Sequence, residues 1–216
     1  MSQKITRIEL QKKSKNRYSV FCNGEFKLGV STEVLLQFGL FKDMTLSDAL
    51  IEKITSAEKW FQLREQALHY LARRPHSEKE LRDKLINKKF EKNLIAVVLK
   101  DLKEKKYIDD ETFSRLLIRE EMNLKKNGPL LIKNKLFKKG VQLELISEII
   151  DKQYSEQDQL ENCKYLADKK VKLINHLPQT EQKKKLAAFL KQKGFNWRMI
   201  NAVVLEKIAE EDENVF

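Results

Sequence analysis

The chain has 216 residues, 41% of them hydrophobic and 35% charged, with a formal net charge of +11 at pH 7. That apolar content excludes wholesale disorder and lets one or two compact domains, or a short array, bury a real core. No apolar run approaches the ~20 residues that cross a bilayer, and the cation surplus points to polyanionic or acidic partners.

Near the N-terminus, Ile5, Ile8, Leu10, Tyr18, Val20, Phe26, Leu28 and Val30 approach strand alternation. Asn23-Gly24 between two such runs is the preferred type I′ hairpin turn, whose central residues need positive φ. The pattern predicts strands near 4–12, 17–22 and 25–30, a small antiparallel sheet that needs a helix packed on it. Ser31-Thr32 starts a short helix that stops at Gly39. Thr45-Leu46-Ser47-Asp48 is a further helix start, leading through Leu50 and Ile54. Another helical stretch runs from Ser56 to Arg74, with Trp60, Leu63, Ala67, Leu68 and Leu71 at helical spacing, and Pro75 ends it. Cys22 and Cys163 are isolated, and the opening MSQKITRIEL has no secretory apolar region. Both features fit a reducing cytosol. With three histidines and no CxxC, no structural zinc site is expected.

A helical pattern then recurs three times. Leu81, Ile132 and Leu186 are equivalent, as are Leu85, Leu136 and Leu190, and Phe90, Val141 and Phe195. So are Ile95, Ile146 and Ile200, and Val98, Ile149 and Val203. Internal periods of this length mean stacked supersecondary units that present a long surface rather than one deep pocket. Ser77 caps the second helix of the first unit, with Glu80 placed for a capping box. Asp109-Asp110-Glu111 opens the second unit, and Gly128-Pro129 breaks it before its second helix. The third unit starts near Ser155, pauses at His176-Leu177-Pro178, and restarts with Asn196 as an N-cap. Gly140 and Gly194 hold the left-handed position that closes a helix. Lys89 has the equivalent place in the first unit, so its cap is expected to be strained or differently shaped. The reading divides the chain into 1–55 (β-hairpin and short helices), three-helix repeats at 56–108, 109–153 and 154–209, and an acidic tail at 210–216. The fold class is mostly α: tandem three-helix repeats in an elongated curved array, with a small N-terminal antiparallel hairpin or three-stranded sheet.

Chemical motifs are sparse. Gly24 to Ser31 has the glycine and serine spacing of a phosphate-binding loop, but Val30 replaces the lysine and the segment straddles a hairpin turn. Asp109, Asp110 and Glu111 could hold a divalent metal, but a cap and first helical turn account for both residue type and position. His69, His76 and His176 have no nucleophile elbow nearby. No catalytic residue, cofactor or metal is expected. The basic residues cluster in each repeat, and Lys88, Lys139 and Lys193 are equivalent in all three, where cations also complement a helix C-terminus. The aromatic residues Phe90, Phe113, Phe137, Phe189 and Phe195 sit at or near core positions. Tyr107, Tyr154 and Trp197 are the candidates for a stacking surface, although core packing suits each of them.

The segment from Ala67 to Ile150 resembles the signature of the RecX family. It carries Tyr70-Leu71-Ala72-Arg73-Arg74-Pro75, Ser77-Glu78-Lys79-Glu80-Leu81, Tyr107-Ile108-Asp109-Asp110-Glu111 with Phe113, Gly128-Pro129 and Lys138-Lys139-Gly140-Val141. The third repeat keeps only the hydrophobic skeleton. The resemblance implies a bacterial, non-enzymatic regulator of the RecA recombinase, similar in shape to a curved rod. It implies binding in the groove of the RecA filament on DNA, limiting ATP hydrolysis, strand exchange and repressor cleavage. Many members carry a basic residue after the Gly-Pro of the second repeat, where this chain has Leu130-Leu131.

Charge, motif position and expected exposure select Arg73, Arg74, Arg82, Lys84, Arg115, Arg119, Lys133 and Lys135 as the partner-contacting set. The expected partners are the RecA filament and DNA, single- or double-stranded, bound weakly or through the filament. No membrane is expected, and the protein is read as a cytoplasmic monomer. The alternative is a direct DNA-binding protein that uses a third helix as a helix-turn-helix does, against which the third helices are richer in apolar than in base-reading residues.

Overall fold

Ten α-helices and four strands lie within the described residues, 2–12 and 16–213, of the computed structural model. Strands β1 (Ser2–Leu10), β2 (Arg17–Cys22) and β3 (Glu25–Ser31) form an antiparallel meander. Asn23 and Gly24 turn β2 into β3 with φ of 51° and 92°, as a type I′ turn requires. A fourth strand, β4 (Thr45–Ser47), pairs antiparallel with Ser2–Lys4, giving the sheet order β3-β2-β1-β4. The strand alternation predicts only three strands. Three residues are too few for a periodic signal, and their last member doubles as a helix cap. Ser47 Oγ accepts the Leu50 N–H at 3.2 Å and opens α2 (Asp48–Leu71).

Helix α1 (Thr32–Gln37) is capped by Ser31 and ends before Gly39, which is left-handed. Helix α2 runs unbroken for 24 residues, where two shorter helices are expected, and it crosses residues 55 and 56 without interruption. It packs on α1 and the sheet, burying Ile54 against Ile5, Val20, Val30 and Val34. Glu58 is the polar fastener of this layer. Only 6% exposed, it accepts from the Ser31 N–H at 2.8 Å and Gln62 Nε2 at 2.8 Å, and pairs with Arg17 at 3.2 Å. A buried carboxylate so fully bonded is stable where it is.

The chain forms two compact units. One holds the residues up to Arg74 together with Leu81–Tyr107; the other holds Pro75–Glu80 and everything from Ile108 onward. In the first unit α2 packs on α4 (Lys92–Glu104), and α3 (Glu78–Asn87) buries Leu81 and Leu85. The second unit contains α5 (Asp110–Asn123), α6 (Pro129–Lys138) and α7 (Leu143–Gln153), then α8 (Glu156–Ile174), α9 (Gln179–Gln192) and α10 (Trp197–Glu213). Helix α10 therefore continues into the acidic stretch that begins at Glu210, while residues 214–216 of the expected tail lie outside the described residues. The equivalent apolar positions are all buried except Phe90, which is half-buried. Phe137 departs from the expectation. It lies on the outer side of α6 and is 56% exposed.

The three second helices end identically. Lys89, Gly140 and Gly194 have φ of 64°, 85° and 89°. The next N–H reaches back to the carbonyl five residues earlier: Phe90 to Leu85, Val141 to Leu136 and Phe195 to Leu190. This is the Schellman closure, and Lys89 adopts it in spite of its Cβ. A left-handed non-glycine residue costs roughly 1–2 kcal/mol, partly offset because glycine loses more backbone freedom on folding. Lys89→Gly should therefore stabilise the protein by about 0.5–1 kcal/mol. Gly194→Ala should destabilise it by roughly 2 kcal/mol, because a Cβ there collides with Leu131. Calorimetric midpoints of the two variants test this pair; a lowered midpoint for Lys89→Gly would mean the lysine side chain matters more than its backbone strain.

Candidate interaction surfaces

Helix-end chemistry decides the acidic cluster first. Asp109 Oδ1 accepts the Glu111 N–H at 2.9 Å, and its Oδ2 accepts the Thr112 hydroxyl at 2.6 Å. Asp110 Oδ1 accepts the Glu78 N–H at 3.0 Å and so helps to cap α3. Ser77, fully buried, accepts the Glu80 N–H at 3.1 Å and donates its hydroxyl to the Lys139 carbonyl at 2.7 Å. Asp109 is the cap that its position at the start of α5 predicts, whereas Asp110 reaches the start of α3, a contact between residues distant along the chain.

The expected contact residues have unequal surroundings. In the first unit, Arg73 and Arg74 are exposed in the turn that closes α2. Arg82 and Lys84 are half-buried on α3, and the Lys84 ammonium stands 5.0 Å from the centroid of the Tyr70 ring. In the second unit, Arg115 sits one helical turn beyond Glu111 and donates to its Oε1 through Nε at 3.0 Å and Nη2 at 2.6 Å. Arg119, a further turn along α5, is exposed and engages no partner among the described residues. Lys133 donates to Ser147 Oγ at 3.0 Å and Lys135 to Glu121 Oε2 at 2.6 Å.

Glu121 is the polar centre of this unit. It is 3% exposed and accepts from Lys125 at 2.8 Å, Lys135 at 2.6 Å and Asn127 Nδ2 at 2.6 Å. Desolvation raises its pKa, but the hydrogen bonds from Lys125, Lys135 and Asn127 outweigh it, and the net shift is downward. Hydrogen bonds to Glu120 and then to Glu121 push the Lys125 ammonium up to about 12. Asn127 extends the network. Its carbonyl accepts the Tyr154 hydroxyl at 3.1 Å, and Tyr154 in turn accepts from Asn162 of α8 at 2.8 Å. Tyr154 is thus a core residue, 1% exposed, as its position suggests, whereas Tyr107 and Trp197 are 53% and 61% exposed. The recurrent lysines also have local roles: Lys139 pairs with Glu80 at 3.3 Å, and Lys193 stands over the Phe189 ring.

Sequence reasoning overlooks Tyr165 on α8. It is 45% exposed, with Lys169 Nζ at 4.4 Å and Lys126 Nζ at 5.8 Å from its ring centroid. The i,i+4 spacing to Lys169 is visible in the sequence; the approach of Lys126, from the loop before α6, is not.

A carboxylate whose pKa is depressed on folding contributes stability above its unfolded value, and that contribution disappears as pH falls through the folded value. For Glu121 the contribution is complete above about 4.5, its ordinary value, and is lost below it. Glu121→Gln should therefore lower the thermal midpoint at pH 7 and flatten its decline between pH 5 and 3. Parallel acid profiles for the wild type and the variant would contradict this assignment.

Comparison with known proteins covers nearly all of the chain. The family model of the regulatory protein RecX N-terminal domain matches residues 3–47, that of the RecX first three-helix domain residues 64–102, and that of the RecX third three-helix domain residues 156–204. The third repeat thus matches a family model although its resemblance to the signature is confined to the hydrophobic skeleton. The "Regulatory protein RecX" of Listeria welshimeri is 35% identical over 209 residues, covering 97% of this chain and 77% of the relative. That of Oceanobacillus iheyensis is 30% identical over 214 residues, covering 97% and 78%. A crystal structure of regulatory protein RecX superposes with a TM-score of 0.77 at 27% identity, covering 93% of this chain and 98% of the other. The crystal structure of RecX from Lactobacillus salivarius gives 0.62 at 26% identity, covering 69% and 97%.

Proposed function

Because this chain belongs to the RecX family of regulatory proteins, we propose that it binds the RecA–DNA filament and restrains the recombinase. On this reading it limits ATP hydrolysis, strand exchange and coprotease activity, as a cytoplasmic monomer that docks rather than catalyses. The similarity running through 97% of the chain carries the proposal. Two structural features support it. Asp109 and Asp110, the acidic pair best suited to metal catalysis, are used as helix caps. The cations on offer, Arg73 and Arg119 above all, protrude from three-helix units rather than line an enclosed cavity. Several weak contacts made together give avidity without a deep pocket, and a net charge of +11 speeds encounter with a negatively charged filament.

The eight basic residues form the proposed docking set, and their surroundings rank them. Arg115 and Glu111 form an exposed pair, cheap to break when a phosphate or a partner carboxylate competes. Lys135 is different, since removing it would leave Glu121 buried beside one fewer cation.

The test is a recombinase ATPase assay titrated with this protein. Wild type should inhibit. Arg73→Glu and Arg119→Glu should each raise the half-inhibitory concentration at least about tenfold, equivalent to ~1.4 kcal/mol, while exposed positions of this kind shift stability by no more than about 0.5 kcal/mol. Lys135→Glu should instead lower the thermal midpoint. Wild-type protein without effect on the ATPase would refute the proposal. Tight, sequence-selective binding to bare duplex would favour the helix-turn-helix alternative.

A further inference from the structure

Between the first turn of α6 and the joint of α9 with α10 lies a groove of about 450 Å³, within the ~300–1,000 Å³ span of small-ligand sites. Its base is apolar, with Phe195 and Ile200 buried. Around them stand the exposed Leu130, Asn134, Lys191, Gln192 and Trp197. Trp197 is 61% exposed although its spacing suggests core. No hydrogen bond, ion pair or ring contact engages the side chains of Asn134, Lys191, Gln192 or Trp197 among the described residues, whereas Lys125, Lys133, Lys135 and Lys139 in the same unit are all tied to protein partners. Among the described residues no carboxylate lines this groove. Two other recesses of comparable size carry Glu156 in one and Glu33, Glu58 and Glu65 in the other.

We propose that this groove is a nucleobase site, holding one unstacked base of single-stranded DNA. An indole offers a π-face on which any base can stack. The Asn134 and Gln192 amides each carry a donor and an acceptor, matching the mixed edge of a base. The Lys191 ammonium supplies a point charge for the adjoining phosphate, with no carboxylate among the described lining residues to oppose it. In a duplex the faces of a base are covered by its neighbours, so single strands are the substrate. An apolar anchor from a protein would use the base of the groove and the indole, but would leave the two amides and the lysine without a counterpart. Glycine makes the geometry possible. Gly194 packs so closely on Leu131 that a Cβ there would collide with its backbone, which holds the α9–α10 joint against α6.

The inference rests on the reading of the partner as a DNA-bearing filament, and two separate readouts keep the two claims apart. The first is the affinity of the full chain for a fluorescein-labelled oligo(dT), with quenching of indole emission in a Trp60→Phe background so that Trp197 alone reports. The second is recombinase ATPase inhibition. Trp197 emission should be quenched by oligo(dT) and much less by a duplex. Trp197→Ala should weaken oligo(dT) binding about tenfold, Lys191→Glu should weaken it comparably, and Trp197→Phe should retain most of it. Unchanged oligo(dT) affinity in Trp197→Ala overturns the proposal, and if ATPase inhibition falls in the same variant the groove takes a protein side chain instead. Wild-type protein that inhibits the recombinase without quenching by oligo(dT) overturns it too and leaves the regulatory function standing. Quenching without recombinase inhibition upholds the site and sinks the regulatory reading.

Discussion

Where the first turn of α6 meets the last turn of α9, the N–H groups of Gly128 and Leu130 donate to the carbonyls of Lys193 and Gly194 at 2.8 and 3.0 Å. A helix start has N–H groups without intrahelical partners, and a helix end has carbonyls without them. Joined in this way, each satisfies the other, and the opposed partial charges of the two ends attract. The joint tolerates no side chain at either centre. A Cβ on Gly128 would run into Gly194 and Phe195, and one on Gly194 into Leu131. One repeat earlier, Ser77 stands in the place of Gly128 and Lys139 in the place of Lys193. There the Ser77 hydroxyl makes the bond to the Lys139 carbonyl that the Gly128 amide makes to Lys193. Gly140 again meets its neighbour closely, with a hypothetical Cβ 2.7 Å from Lys79 Cβ. Two joints of one design thus use different chemistry for the same carbonyl.

This packing governs how much of the basic surplus is available. A net charge of +11 reads as one docking surface, yet part of it is spent internally. Glu121 holds Lys125 and Lys135 against a nearly buried carboxylate, and a partner would have to offset that desolvation to draw either lysine away. Arg115 and its exposed Glu111 can separate at little cost, and Arg73 and Arg119 have no partner among the described residues to leave. A charge cluster in sequence is therefore a list of candidates, and burial of the opposing carboxylate sorts them.

Two expectations met different fates for the same reason. Tyr154 and Trp197 both sit beside apolar runs, and either could have closed a core. Tyr154 is buried because its hydroxyl finds the Asn127 carbonyl, in the loop between α5 and α6, and the Asn162 amide of α8. Trp197 stands at the first position of α10, where the helix has not yet turned its apolar face inward. Its neighbours Phe195, Met199 and Ile200 take the interior places instead.

The amino-acid pattern alone determined the repetition and every element but β4 and the single α2. The Asn23-Gly24 turn, the Ser31, Ser47, Asp109, Ser155 and Asn196 caps, the apolar stripes and the glycine closures at Gly140 and Gly194 are local, set by residues within about one helical turn of one another. The tertiary structure alone decided β4, the continuity of α2, the burial of Glu58 and Glu121, and the groove beside Trp197. Each of these depends on groups distant along the chain, such as Ser2 with Ser47, Ser31 with Glu58 or Leu131 with Gly194. Periodicity can say that a side chain faces inward; only the fold can say which carboxylate, carbonyl or open water it meets there.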